Sequence, residues 1–355
     1  MNNRITFYQA AARLEENSLA YEVLNLQEDF RLIILKRGGR ILGPFCGDDG
    51  ESILWINGNF SCKEAFRKFL ESGDWNLGGD RIWIAPELQY NVKDRNDFYG
   101  SYSLPVQVDP GSYSIARNGS MECVLKQDMK LELYGVGGTK ELQIERRMRS
   151  AADPLQYLKH YSELAEGVLY SGFQHKVFLK EEHTNDILSE AWNLTQVNPG
   201  GQMFIPVTPE AEYTDYYEPV DNECQLVFPG HIRLEITGVR RYKAGYKAVN
   251  VLGRIGYYNT VSPDKACLLV RQFFSNPSAP YTKEPVSKPG CAGHSLHVYN
   301  DNGENGGFAE LECSGQPIGG TTGKSCSEDD IITWLYIGDR SKVKNIAYCL
   351  LGVKI

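Results

Sequence analysis

Gly78-Gly79-Asp80-Arg81-Ile82-Trp83-Ile84-Ala85-Pro86-Glu87 is the stretch from which the fold is read. The glycine pair lets the backbone turn through angles that other residues avoid. The next residues alternate with a period of two, so Arg81, Trp83 and Ala85 share one face of a strand and Ile82 and Ile84 the other. Pro86 stops the strand or confines it to a sheet edge, and Glu87 comes directly after it. The isoleucines can face a core, which leaves Arg81 and Trp83 together on the opposite face. An edge strand whose surface Arg packs on a Trp is the plainer account of the same pattern.

Outward from this stretch the chain keeps the same grammar. Short alternating runs such as Arg31-Leu-Ile-Ile-Leu, Met129-Lys-Leu-Glu-Leu, Glu141-Leu-Gln-Ile-Glu-Arg and Ala266-Cys-Leu-Leu-Val are broken by Gly, Pro, Asn or Asp. Helical signals are few. Thr6 to Gln9 and Ser61 to Glu64 have the spacing of capping boxes, and Asp153-Pro154 opens a third helical pattern. The predicted helices run over about 6–16, 61–70 and 153–166 as short elements of a single domain spanning 1–355. Many short strands without βαβ alternation predict an all-β chain, a large antiparallel sandwich or barrel.

Composition agrees with that class. Glycine (35), tyrosine (21) and phenylalanine (14) are plentiful, which favours a turn-rich β protein over a helical one. The formal charge is −8 with no long basic run, which argues against nucleic acid as the main partner. No apolar stretch is long enough for a membrane span or a signal core, so a soluble, cytoplasmic protein is expected if Met1 is the native start. The nine cysteines are scattered and never spaced C-x-x-C, which fits neither a zinc site nor a disulfide framework. No phosphate-binding glycine loop, nucleophile elbow or H-E-x-x-H motif occurs.

The chemistry must therefore come from isolated residues. Glu310 and Glu312 lie two apart on one strand and face the same way, with apolar Phe308, Ala309, Leu311 and Cys313 around them. A carboxylate raised in pKa by such surroundings suits a general base, and a solvated strand face is the competing account. Arg81, Trp83 and Glu87 combine fork-shaped donors, a flat apolar platform and an acceptor, a set that suits a polyol. Asn193 and Gln196 are amides in a segment that reads as buried, and Arg254 is a cation between glycines. His175 lies inside an alternating strand. His294 and His297 are an odd distance apart, so a regular strand sends them to opposite faces.

Taken in order, Gly78 to Glu87, Trp192-Asn-Leu-Thr-Gln196-Val, Gly253-Arg-Ile-Gly256 and Phe308-Ala-Glu310-Leu-Glu312 resemble the galactose-mutarotase-like superfamily, the aldose 1-epimerases and a carbohydrate-binding branch of it. The resemblance covers most of the chain. It implies an antiparallel β-supersandwich whose concave face binds a sugar, a strand glutamate as base on the anomeric hydroxyl, and a histidine that protonates the ring oxygen. Glu310 or Glu312 matches the glutamate, and Arg81 the early sugar-binding arginine. The epimerases carry a histidine in an H-x-Y-F-N-L-like segment, and Trp192 to Gln196 has none. His175 or His297 would then supply the acid, with Arg81, Trp83, Glu87, Asn193, Gln196, Arg254 and His294 binding the sugar. The partner expected is a small or oligomeric carbohydrate, without a cofactor or metal, though a calcium ion stays open. The alternatives are a non-catalytic sugar-binding module, or a lyase- or hydrolase-like enzyme on a sugar acid whose carboxylate Arg81 or Arg254 neutralises.

Overall fold

The computed structural model describes residues 5–119, 121–183 and 186–355. Nineteen strands build two antiparallel sheets. The nine-stranded sheet takes β1 (Tyr21–Asn25), β2 (Phe30–Leu35), β3 (Arg40–Cys46), β4 (Asp80–Ala85), β9 (Glu190–Val197), β11 (Tyr213–Asp215), β14 (Tyr242–Lys247), β17 (His294–Asn300) and β18 (Ala309–Ser314). Its order is β1-β2-β3-β4-β9-β18-β17-β14-β11. The ten-stranded sheet takes β5 (Ser114–Asn118), β6 (Glu122–Glu132), β7 (Thr139–Ser150), β8 (Leu169–Glu181), β10 (Gln202–Pro206), β12 (Gln225–Phe228), β13 (His231–Glu235), β15 (Arg254–Thr260), β16 (Lys265–Gln272) and β19 (Cys326–Asp339). Its order is β12-β13-β10-β15-β16-β19-β8-β7-β6-β5.

Helices are short, and the first of them has a built start. In α1 (Phe7–Glu16) the Thr6 hydroxyl accepts from the Gln9 N–H at 3.2 Å while Gln9 Oε1 accepts from the Thr6 N–H at 3.0 Å. The Ser61 capping box does not form, because Ser61 closes a tight 3₁₀ turn by donating to the Gly58 carbonyl. That leaves Cys62 before α2 (Lys63–Glu71) without a side-chain cap. Next come α3 (Glu87–Tyr90) and α4 (Phe98–Ser101). Between 153 and 166 only α5 (Tyr161–Ala165) is helical, and α6 (Arg340–Leu351) ends the fold. Among the described residues no helix is long and apolar enough to cross a membrane.

Strand β4 is interior, not an edge. It pairs with β9 from Asp80↔Thr195 to Ala85↔Glu190 and meets β3 at Ile41↔Asp80. Pro86 limits its length instead, since it caps α3 and cannot continue the ladder. The glycine pair before it is required by space as well as by angle. Gly79 has φ +75°, and a Cβ there would lie 2.3 Å from the Ile41 carbonyl oxygen. Ile82 and Ile84 face the second sheet and pack with Leu125, Ile144 and Val177. Leu311 and Val298 do the same against Ile255 and Leu269.

One buried charge cluster crosses this apolar layer. Asp80 sits on the inner face of β4, fully buried, and Arg271 of β16 donates to its Oδ2 at 2.6 Å. Thr195 donates to the same oxygen at 2.7 Å, and Asn193 Nδ2 reaches both oxygens at 3.0 Å. Arg146 of β7 approaches Oδ1 at 3.4 Å and also donates to the Gly39 carbonyl. Burial pushes the Asp80 carboxyl up, but the arginines outweigh it and hold it at about 2.

This cluster corrects two of the expected site residues. His175 of β8 is fully buried between the sheets, where its Nε2 accepts from Arg146 Nε at 3.0 Å. Burial, then the Arg146 charge, pushes its pKa well below the usual value, so it is a neutral member of the inner layer. Asn193 belongs there too. It is three residues from Gln196 in a regular strand and so points to the opposite face.

Asp80→Asn is expected to destabilise the protein by about 3–5 kcal/mol, because two arginines lose their buried counter-charge. Urea unfolding at neutral pH checks this, and an unchanged midpoint would remove the cluster from the stability of the fold. The sign of the pH effect is set by the depressed pKa. The Asp80 contribution is complete above the ordinary value of 3.8 and is lost as pH falls through about 2. The asparagine variant should lack that acid-dependent component.

Candidate functional site

The outer face of the nine-stranded sheet is organised in rows set by strand register. Arg81, Leu194, Glu312, His297 and Gly245 succeed one another across β4, β9, β18, β17 and β14. The next row holds Gln196, Glu310, Tyr299 and Lys243. Trp83 pairs with Trp192 on the other side of the first row. Over these rows opens a cavity of about 370 Å³, within the size range of small-ligand sites. Its floor includes Arg81, Trp83, Trp192, Leu194, Glu310 and Glu312. Aromatic walls come from Tyr99, Tyr217, Tyr299 and Phe308, and Glu87, Lys243 and Arg241 also border it.

The two glutamates stand in opposite environments. Glu312 Oε2 accepts from Lys283 at 2.8 Å, Lys243 at 3.0 Å and the Trp192 indole N–H at 2.9 Å. Burial pushes its carboxyl up, but the two ammonium groups dominate and hold it at about 2. Glu310 Oε1 accepts from Arg81 Nη2 at 2.8 Å and from Gln196 Nε2 at 3.1 Å. Here burial is the larger influence. Opposed by Arg81 and reinforced by the neighbouring Glu312 charge, it leaves the Glu310 carboxyl above the usual range. Arg81 is itself held between tryptophans, its guanidinium 4.1 Å from the Trp83 ring and 4.8 Å from the Trp75 ring.

Lys283 reaches this face from the Pro- and Ser-rich segment after β16. Its ammonium lies 3.7 Å over the Trp192 ring and 3.4 Å from His297 Nδ1. Burial, only partly offset by Glu312, lowers its pKa to about 8, whereas Lys243 is raised. Glu190, two residues before Trp192 on the same face, is pushed up to about 8 by burial, with Lys283 opposing. The buried Tyr216 hydroxyl donates to the Lys283 carbonyl, 2.9 Å away, and stands 2.9 Å from His297 Nε2 and 3.1 Å from His294 Nδ1.

The two histidines thus share a partner, although an odd spacing sends them apart on a regular strand. A bulge removes the conflict: Leu296 pairs with Tyr246 but His294, not Ser295, pairs with Lys247. Both are fully buried, and neither lines the cavity. Burial and the nearby lysines push His297 well below its usual pKa, and burial with Lys247 lowers His294 to about 4. Neither is a ready proton donor. A Cβ on Gly245 would come within 2.5 Å of the Tyr216 ring, so that glycine makes room for the group.

Arg81, Trp83, Glu87, Glu310 and Glu312 therefore line one cavity, and Gln196 touches it through Glu310. His175 and Asn193 face the inner layer. Arg254 is also elsewhere, on the ten-stranded sheet, donating to Gln272 Oε1 at 3.1 Å and to the Leu350 carbonyl at 2.7 Å. It borders a larger groove of about 630 Å³ whose carboxylate, Asp330, is already bound by Gln174. The residues that sequence reasoning missed are Lys243, Lys283, Arg241 and Tyr216. Arg241 and Lys243 carry the same two-residue alternation as Arg81 and Trp83 and could have been found by it. Lys283 lies in an irregular segment with no such signal. Among the described residues no group of three or more His, Cys, Asp or Glu is placed to hold a metal ion.

Residues 6–355 match the family described as a family of unknown function, DUF6786. The chain belongs to that family. No curated protein matches it. Among solved structures, this DUF6786 chain is similar to a candidate aldose 1-epimerase from Escherichia coli K12, with a TM-score of 0.50 at 11% identity over 90% of this chain and 99% of that one. It is also similar to the galactose mutarotase related enzyme from Lactobacillus acidophilus (TM-score 0.47, 6% identity, 91% and 98% covered). A third is the galactose 1-epimerase from Lactobacillus acidophilus NCFM (TM-score 0.39, 10% identity, 90% and 95% covered). The fold of the DUF6786 chain is the galactose-mutarotase-like β-supersandwich.

An NMR pH titration of the lysine side chains should show one group with a midpoint near 8, absent in Lys283→Met. Because the folded-state value is lowered, the unfolded chain binds more protons between about 8 and the ordinary 10.5, so this group makes stability rise with pH across that window. A Lys283 midpoint near 10.5 would mean that Glu312 offsets burial in full.

Proposed function

We propose that the protein binds a carbohydrate in the cavity over β4, β9, β18 and β14 and acts on it by acid–base chemistry at or beside the anomeric carbon. The observation that carries this reading is the divergence of Glu310 and Glu312. Two carboxyls two residues apart are driven to opposite sides of the ordinary value, one by two lysines and the other by burial. Such divergence separates a proton acceptor from a fixed charge. Glu310 is the base: its Oε1 is held by Arg81 and Gln196, and its side chain keeps 7% exposure to the cavity. Glu312 is the fixed charge that keeps Lys243 protonated.

Lys243 takes the proton-donor role that the resemblance gives to a histidine. It borders the cavity, whereas His297 is occupied by Tyr216 and Lys283 and His175 lies in the inner layer. For an epimerisation, Glu310 removes the anomeric hydroxyl proton as Lys243 protonates the ring oxygen, the ring C–O bond breaks, and reclosure from the other face reverses both transfers. The tyrosine walls offer flat apolar surfaces to the sugar ring, and Arg81 with Glu87 supplies polar contacts to hydroxyls.

Arg241 favours a second reading, a lyase- or hydrolase-like enzyme on a sugar acid. It borders the cavity, its guanidinium lies 5.0 Å from the Tyr99 ring and 5.3 Å from the Tyr217 ring, and no carboxylate among the described residues pairs with it. An anionic substituent would complete that site.

Glu310→Gln should lower turnover by about 10²–10⁴-fold while sugar affinity changes little, since shape is kept and the base removed. Exchange of anomers followed by NMR reads the rate, and calorimetry reads the affinity. The wild-type rate should fall as pH drops through the raised Glu310 pKa, because the base acts deprotonated. Full turnover in Glu310→Gln would remove Glu310 from the chemistry. A uronate preference that Arg241→Ala abolishes, with an unsaturated product, would select the second reading.

A further inference from the structure

A second cavity, of about 500 Å³, adjoins the first and shares Glu87 as a lining residue. It lies between α3 and the segment Thr282–Glu284. Its wall on one side is Tyr216 and Lys283, the residues whose hydrogen bonds run through to His297 and to Glu312 on the floor of the first cavity. Glu87 is half-buried, and no cation pairs with it among the described residues. It therefore stands as an unspent acceptor between the two spaces.

The second cavity has the chemistry of a hydroxyl-rich ligand. Gln89 Nε2 is a buried polar atom with no hydrogen-bond partner among the described residues, and Gln89 borders the cavity, whereas the Thr282 hydroxyl is taken up by Glu190. Buried polar groups are ordinarily paired, so this amide on the cavity wall calls for an external partner. Lys93 adds an exposed ammonium 5.8 Å from the Tyr134 ring. The Arg95–Glu284 ion pair, at 2.7 Å, also lies on its lining. Apolar side chains are a minority there, which disfavours a lipid or a greasy peptide.

We propose that the cavity between α3 and Thr282–Glu284 is a second sugar subsite, so that the ligand is a chain of two or more sugar units passing Glu87. This rests on the carbohydrate reading of the first cavity and extends it from a monosaccharide to an oligosaccharide. One unit lies over Glu310, and the next meets Gln89 and Lys93. Glu87 accepts hydroxyl hydrogen bonds from both.

Calorimetry with wild-type protein would compare glucose, galactose and galacturonate with cellobiose, lactose and digalacturonate. At least one disaccharide should bind tenfold or more tighter than its own monosaccharide. In Gln89→Ala and in Lys93→Ala that gain should shrink to threefold or less. Lys93 is exposed, so its variant keeps the test valid if Gln89→Ala does not fold. Monosaccharide binding with no gain from the second unit overturns the subsite and leaves the first cavity standing. A gain that both variants keep in full also overturns it. No binding by any probe overturns the carbohydrate reading and the subsite together.

Discussion

The Asp80 carboxylate is the constraint on which the arrangement depends. It draws Arg146 and Arg271 from the second sheet toward one inner position of β4, with Asn193 and Thr195 closing the shell. An apolar sandwich layer is adhesive but undirected, and many registers would bury similar area. A buried charge accepts only the geometry that pairs it. Because side chains alternate along a strand, fixing Asp80 inward fixes Arg81 and Trp83 outward. The inner cluster and the outer cavity are therefore two faces of one register, and a one-residue slip of β4 would destroy both.

The outer face repeats this logic with a different result. Lys243 and Lys283 converge on Glu312 and take up its charge, which leaves Glu310, two residues before it on β18, with Arg81 as its one ion-pair partner among the described residues. A single arginine does not cancel the cost of burial, so the second carboxyl lies above the ordinary range. Two identical side chains thus acquire different chemistry from the number of cations that reach each. That number is set by β14 and by the segment after β16, not by β18 itself.

The legibility of the sequence divides along the same line. Parity along a strand is local, so the outward pair Arg81 and Trp83 and the shared face of Glu310 and Glu312 were legible from spacing alone. The same parity separates Asn193 from Gln196. Sheet membership is not local, and Arg254 looks like Arg81 until β15 is seen to lie in the other sheet. His175 had a plausible alternating strand, but nothing nearby in the chain says that its neighbours are Arg146 and Asp80. The bulge that brings His294 and His297 to one side has no residue signature here, and Lys283 arrives from a loop whose course depends on Tyr216 and Glu190.

The lack of a histidine in Trp192 to Gln196 then has a structural counterpart. The ring that this segment puts on the outer face is Trp192, whose indole N–H goes to Glu312 and which lies 3.7 Å under the Lys283 ammonium and 4.7 Å from that of Lys243. An imidazole there could not offer an apolar face to two ammonium groups while also donating to their shared carboxylate. Tryptophan does both, and with it the lysine pair becomes stable in a buried place. The charge of this face is thus carried by a Lys–Glu–Lys group packed on that ring, and not by an imidazole.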